Sequence, residues 1–365
     1  MQGIIADGGI MFFQLCGECR LVKGDQEGVI YHLLKGEMVR LTKEEVQVLL
    51  QAKQGEECQR EPFLEQLEEM GWGFFSEKKV FIDKLRPYNS LMLLRRDLMS
   101  FQLETVFLQL TNRCSCGEMH CREMFCTPCR TVNAGAKELT VEEWKEILNL
   151  LSKLHVGNVI LTGGDLCGYE RLGEMVMLCR ELGLSCSVVL NHFREQTLSQ
   201  IPDDVSVLVY VCDFTTWEDC IRIGAKRKDA VMILNEKMSG LKDKILKGTY
   251  SRIIDVRAYD QLIGEKDIRP CNLKEFYGKR DGNTCLRGKM YILSNGDVVT
   301  CYQSTGRVMG NLQRERFQDV YRRLIEVCWC KPIQHKKCKK CSLFYGCSVC
   351  MCMDPDIHCS YQTEK

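Results

Sequence analysis

Residues 105-TVFLQLTNRCSCGEMHCREMFCTPC-129 pass from a short apolar run directly into a loop with five cysteines, Cys114, Cys116, Cys121, Cys126 and Cys129. The run 105-TVFLQL-110 has the length and the β-branched and aromatic content of a strand. Runs of the same kind recur at 157-GNVILT-162, 185-SCSVVL-190, 205-VSVLVYV-211, 230-AVMIL-234 and 252-RIIDVRAY-259. Helical patterns separate them, among them 140-TVEEWKEILNLLSKL-154, opened by Thr140 with Glu143 in the capping-box position, and 169-YERLGEMVMLCREL-182. Strand and helix in alternation predict parallel strands joined by crossover helices. Six such units make an α/β partial barrel, a (β/α)6 arrangement. Chemistry in barrels of this kind gathers at the carboxyl ends of the strands, which is where the five-cysteine loop falls.

The whole chain has 365 residues, 45% hydrophobic and 27% charged, enough for more than one core. Fifty basic residues against 49 acidic ones leave a net charge of +1, so no global field favours nucleic acid or anionic lipid. The longest apolar runs, such as 205-VSVLVYVC-212, are too short to span a membrane, and the N-terminus has no basic-then-apolar leader pattern. The expectation is a cytoplasmic protein with no nucleic-acid and no membrane partner. Its abnormal feature is 24 cysteines, five of them between 114 and 129 and eight between 328 and 359. A long chain in a reducing compartment does not use such clusters as disulfides; metal or iron–sulfur ligation is the expectation.

After the second strand comes 159-VILTGGDLCG-168, whose glycines let a ligand approach the backbone and whose carboxylate can hold an ammonium group. A cysteine cluster led in by Thr-Asn-Arg-Cys, followed by Gly-Gly-acid after strand two, resembles the radical S-adenosylmethionine superfamily over about residues 104 to 260. The resemblance implies three cysteines binding a [4Fe-4S] cluster whose open iron takes S-adenosylmethionine. It also implies that Gly163, Gly164 and Asp165 contact the methionine amine, and that Asn191, closing strand three, is a ribose contact; as a residue alone, Asn191 is equally a strand-end turn. The usual cysteine spacing is altered here: Cys126 and Cys129 form the final pair, with Pro128 in the family's aromatic position, and the first ligand is Cys114 or Cys121. Thr-Asn-Arg-Cys normally places that ligand at the strand end, which favours Cys114.

From about residue 271 the alternation stops. Cys285, Gly296 and Cys301, then Cys338-x2-Cys341-x5-Cys347, then Cys350, Cys352 and Cys359, with the hairpin-like 291-YILSNGDVVTC-301, resemble the SPASM extension of radical S-adenosylmethionine enzymes. That likeness implies two auxiliary [4Fe-4S] clusters, one held by Cys285, Cys301 and a tail cysteine, the other by Cys338, Cys341, Cys347 and Cys359. Met351 stands where the family has a cysteine, so Cys352 or Cys350 completes the first of them, and Cys271 is a further candidate ligand. On the residues alone, C-x2-C pairs suit structural zinc as well.

Residues 1 to about 95 read as short strands (10-IMFFQLCGECRLV-22, 28-GVIYHLL-34 and 37-EMVRL-41) and then helices, the first opened by Thr42 with Glu45 in a capping box, the second near 62-PFLEQLEEMG-71. This small α+β, winged-helix-like pattern resembles the PqqD-like recognition element of ribosomal-peptide maturases, in which an extended leader adds a strand to a sheet edge. The expected organisation is 1–95 peptide recognition, 96–270 radical barrel and 271–365 SPASM module. The resemblance implies a 5′-deoxyadenosyl radical that modifies a precursor peptide by a thioether or carbon–carbon crosslink, with an electron donor such as flavodoxin or ferredoxin. A catalytically silent leader-binding scaffold, or a side-chain oxidase like the sulfatase maturases, stays open beside it. Cys167 and His192 lie near the active end as candidates for a part in the chemistry, and Cys179 and Cys186 read as core.

Overall fold

The structure, a computed structural model, describes residues 11–86, 102–114, 137–211, 217–227, 230–235, 252–256, 264–301, 308–330, 337–348 and 359. The chain divides into two compact units that do not follow chain order. One comprises Met1–Met99, Leu262–Cys285 and Lys331–Lys365, the other Ser100–Gln261 and Leu286–Cys330. The 271–365 stretch therefore contributes to both.

In the first unit, β2 (Cys19–Lys23), β3 (Gly28–His32) and β4 (Glu37–Leu41) form an antiparallel meander in which β3 is buried throughout. The single strand expected over 10–22 is instead two. The chain turns at Cys16–Cys19, closed by the Cys19 N–H to the Cys16 carbonyl at 3.0 Å, and β1 (Phe12–Leu15) pairs with β5 (Gly73–Ser76), a strand the sequence pattern did not announce. Gly17 permits this turn: a Cβ there would lie 2.8 Å from the Asp83 carbonyl oxygen. Helix α1 (Lys43–Gln54) starts on the Thr42–Glu45 capping box and ends at Gly55 in the left-handed region, while α2 (Pro62–Glu69) opens on a proline. Trp72, Phe13, Ile30 and Leu64 are at the centre of their shared core. Helix α7 (Leu273–Asp281), opened by an Asn272–Glu275 capping box, belongs to this unit too.

The second unit is built on β6 (Thr105–Gln109), β7 (Asn158–Thr162), β8 (Cys186–Leu190), β9 (Ser206–Tyr210), β10 (Val231–Asn235) and β11 (Arg252–Val256), paired in parallel and in chain order. All six expected strands are present. Helices α3 (Val141–Lys153), α4 (Leu172–Glu181) and α6 (Trp217–Lys226) are full crossovers, whereas α5 (Glu195–Leu198), between β8 and β9, is a single turn. Beyond β6 the sheet continues with β12 (Lys289–Ile292), parallel to β6 with Tyr291 opposite Phe107. It is then extended antiparallel by β13 (Asp297–Val299) and β14 (Val308–Asn311), after which comes α8 (Phe317–Leu324). The hairpin read from 291–301 is thus an extension of the barrel sheet. Among the described residues no helix is long and apolar enough to cross a membrane.

Candidate functional site

The pleat sorts the barrel side chains into two sets. Val106, Leu108, Val159, Leu161, Val188, Val207 and Val209 share one face of the sheet, all fully buried. The opposite face carries Gln109, Thr162, Ser187 and Tyr210 among apolar neighbours, each also buried. Phe107 on this face stacks on Tyr291 of β12, ring centres 4.4 Å apart and planes within 5°. A polar face inside a parallel barrel is where a substrate is held and oriented.

Past the strands' carboxyl ends, the β6 and β7 segments stay hydrogen-bonded: Leu110 N–H to Thr162 O at 2.7 Å, Gly164 N–H to Thr111 O at 2.9 Å and Asp165 N–H to Arg113 O at 2.8 Å. This brings Gly-Gly-Asp against the residue that begins the cysteine loop. A Cβ on Gly164 would lie 2.1 Å from the Arg113 oxygen and 3.0 Å from the Cys114 Cβ, so only glycine permits the approach. The Thr-Asn-Arg lead-in is held from the other side by Glu138, whose Oε1 accepts from the Thr111 hydroxyl at 2.7 Å and the Asn112 N–H at 2.6 Å. Glu138 carries no signal in the sequence; its partners lie 26 and 27 positions away. Asp165 is buried and its Oδ1 accepts from Cys167 N–H at 2.9 Å, starting a short 3-10 turn. Asn191 is buried and donates through Nδ2 to the Gly164 carbonyl at 3.0 Å, which ties the loop down. Cys121, Cys126 and Cys129 lie outside the described residues.

His192 faces Asp219, Nδ1 to Oδ2 3.9 Å, and its carbonyl accepts the Cys167 thiol at 3.3 Å. Burial, and then the Asp165 charge, push the Cys167 thiol up to about 12. At pH 8 this thiol is therefore protonated, and native protein is expected to leave it unalkylated by iodoacetamide while exposed Cys330 reacts. Peptide mapping checks this; labelling of Cys167 at the rate of Cys330 would overturn its buried placement. Cys179 and Cys186 are buried in the barrel, as read from the sequence.

The hairpin that follows β12 turns at Gly296, φ +84°, and is pinned by a closed side-chain network: Asn311 Nδ2 donates to Asn295 O at 3.1 Å and Asp297 Oδ1 at 2.8 Å, and Asn295 Nδ2 to Asp297 Oδ2 at 2.8 Å. Cys301, two residues past β13, is buried. In the other unit, Cys285 N–H is held by Asn283 Oδ1 at 3.1 Å.

Also in that unit, the tail brings Cys338, Cys341, Cys347 and Cys359 into one neighbourhood. Burial first, and then the charges of Cys347, Cys359 and Cys338, push the Cys341 thiol up to about 12. Among the described residues no three His, Cys, Asp or Glu side chains converge as on a single ion. Cys271 is buried in an apolar cluster with Val29, Tyr31, Phe276 and Leu343, against which Cys341 packs. Burial pushes the Lys279 ammonium down, countered by Cys347 and Cys271. Cys350 and Cys352 lie outside the described residues.

Comparison with known proteins matches residues 284–342 to the model of the SPASM family, an iron–sulfur cluster-binding domain. Over that stretch the chain is similar to SPASM domains. A PqqA peptide cyclase of Bradyrhizobium diazoefficiens is 28% identical over 100 residues, 27% of this chain and 25% of that protein, so the chain spans about a quarter of the curated relative's length. Streptococcus suis SuiB, in the crystal structure bound to precursor peptide SuiA, covers 92% of this chain and 94% of its own with TM-score 0.50 at 14% identity. In the structure bound to S-adenosylmethionine, the same coverages come with TM-score 0.46 and 15% identity. The resemblance to radical S-adenosylmethionine/SPASM proteins drawn from the cysteine clusters and the Gly-Gly-acid segment is borne out, and so is the fold class.

The SPASM match contains Cys285, Cys301, Cys338 and Cys341, and ends before Cys347 and Cys359. The donor set fits iron–sulfur chemistry: four thiols gathered in low-dielectric surroundings repel one another as thiolates, and a cationic metal core relieves that repulsion. The residues the sequence reading did not single out are those that hold these loops: Glu138, Asn311, Tyr31 and Lys279.

Proposed function

We propose that the chain is a radical S-adenosylmethionine enzyme that modifies a ribosomally made precursor peptide, forming a thioether or carbon–carbon crosslink. The observation that carries this reading is the packing of Gly164 against Cys114, with Asp165 hydrogen-bonded to Arg113, at adjacent ends of parallel strands, in a chain that matches the SPASM family over residues 284–342. Names of the relatives support a peptide substrate: one is a PqqA peptide cyclase, another binds a precursor peptide.

In this reading Cys114, Cys126 and Cys129 hold the first [4Fe-4S] cluster, with Cys121 as the alternative to Cys114. Cys285, Cys301 and Cys352 or Cys350 hold one auxiliary cluster, and Cys338, Cys341, Cys347 and Cys359 the other. The loaded, reduced first cluster with S-adenosylmethionine supplies the radical chemistry that removes a hydrogen atom from the peptide. The chain's own part is positional. Gly163 and Gly164 keep the β7 end flush with the cysteine loop, Asp165 offers its carboxylate to the methionine ammonium, and Asn191 fixes the loop by its hydrogen bond to Gly164. Gln109, Thr162 and Tyr210 orient what enters the barrel. The meander of residues 1–95 recruits the leader, whose backbone pairs with an edge strand, β2 or β4. Residues 96–270 make the radical barrel and 271–365 the SPASM module, with flavodoxin or ferredoxin in the cytoplasm as electron donor.

The test is 5′-deoxyadenosine formation by anaerobically reconstituted, reduced protein. Product is expected from the wild type and none from the Cys126→Ala/Cys129→Ala variant. Absence of product at full iron loading, with and without peptides encoded beside the gene, would sink the enzyme reading in favour of a silent scaffold.

A further inference from the structure

The loop Cys341–Cys347 is gripped by groups that are not themselves candidate ligands. Lys279 of α7 donates to the carbonyls of Phe344 at 3.3 Å, Tyr345 at 2.9 Å and Cys347 at 2.5 Å. An ammonium has three N–H donors and no acceptor, so one loop takes all of them. From β3, the Tyr31 hydroxyl donates to Ser342 O at 2.9 Å and accepts from Gly346 N–H at 3.3 Å, bridging the loop's two ends. A third strap runs along its exit: Arg269 N–H to Gly346 O at 3.0 Å, Ser348 N–H to Asp267 O at 3.0 Å, and a bridge between Ile268 and Cys347. Gly346 is required there, because a Cβ would sit 2.4 Å from Arg269 O.

A half-buried cation that gives all its hydrogen bonds to the backbone of a loop bounded by two thiols has no evident role in the meander itself. Its place fits outer-shell control of a metal group, where such partners fix ligand geometry and bias the charge the group carries. We infer that Lys279 and Tyr31 are positioning residues of the tail iron–sulfur site: both hold the ligand loop, and Lys279 in addition favours the reduced, more negative cluster. This rests on reading Cys338, Cys341, Cys347 and Cys359 as ligands of one cluster.

The experiment uses full-length chain with Cys126→Ala/Cys129→Ala, so that only auxiliary clusters contribute. Iron content, release of iron to a chelator, and the midpoint potential followed by electron paramagnetic resonance are measured for Lys279→Met, Lys279→Arg and Tyr31→Phe. Lys279→Met is expected to shift the tail cluster's midpoint to more negative potential and speed iron release roughly tenfold. Lys279→Arg, which keeps the charge, should restore the potential. Tyr31→Phe, which removes the hydroxyl but no charge, should speed release and leave the potential alone. Wild-type potential and release in Lys279→Met overturn the inference. Should that variant fail to fold, wild-type release in Tyr31→Phe does so instead. Failure of the ligand reading shows separately: Cys341→Ala would then contain as much iron as its parent.

Discussion

Gly164→Ala is expected to lower 5′-deoxyadenosine formation roughly a hundredfold, the cost of misplacing a reacting constellation by about 1 Å. The added methyl would stand 2.1 Å from Arg113 O and 2.6 Å from Arg113 C, both backbone atoms, and contacts under 3.0 Å are not tolerated. Relief requires parting the β6 and β7 ends, and those ends carry Cys114 on one side and Asp165 on the other. The two hydrogen bonds that bracket the contact, Gly164 N–H to Thr111 O and Asp165 N–H to Arg113 O, must stretch together. Overpacking of this kind destabilises by about 1–3 kcal/mol, too little to unfold the barrel. Circular dichroism should therefore stay native while turnover collapses. Gly168→Ala is the control: nothing lies within 4 Å of a Cβ there, and its activity should match the wild type. Equal activities of the two variants would mean that the strand-end contact does not position the chemistry.

The second large effect belongs to the tail. Cys341→Ala in otherwise intact protein is expected to lose one cubane, about four iron per chain, and to loosen the meander as well. Loss of a metal group falls in the extreme tail of mutational effects, about 4 kcal/mol or more, and at about 2–4 °C per kcal/mol for a unit of this size the melting temperature should fall by about 10 °C. The structural reason is that Tyr31 and Lys279 hold the same loop that carries Cys341 and Cys347, and Tyr31 stands in a strand buried along its length. Amide hydrogen exchange across Gly28–His32 should accelerate accordingly. Iron lost with melting and exchange unchanged would show that the tail and the meander fold independently.

The barrel was legible because its strands are short, dense in Val, Ile and Leu, and separated by capped helices; the Thr140–Glu143 box formed as read. The place of Gly163, Gly164, Asp165 and Asn191 at strand ends was legible for the same reason, since they follow strands directly. The first strand was misread because a largely apolar stretch of thirteen residues hides a turn, which shows only in the fold: the Cys19 N–H bonds to the Cys16 carbonyl and Gly17 fits against Asp83 O. β5 was missed since 73-GFFS-76 is too short to signal a strand without its partner β1. The straps on the tail loop were not legible at all. Tyr31 and Ser342 are 311 positions apart, Lys279 and Cys347 68, and neither a tyrosine in a strand nor a lysine in a helix announces what it will hold.

The parallel pairing of β12 with β6 also bears on how the protein can be cut or shuffled. Register runs from Lys289 opposite Thr105 to Ile292 opposite Leu108, so the barrel's first strand has neighbours on both sides and offers no open row of amides. A chain ended before residue 289 would strip one side of Thr105–Gln109 and leave an apolar parallel edge, the kind of template on which copies of a protein stack into aggregates. The hairpin is thus no detachable accessory: transplanting the barrel without it, or grafting a different extension after residue 285, requires a replacement strand before the hybrid will stay in solution.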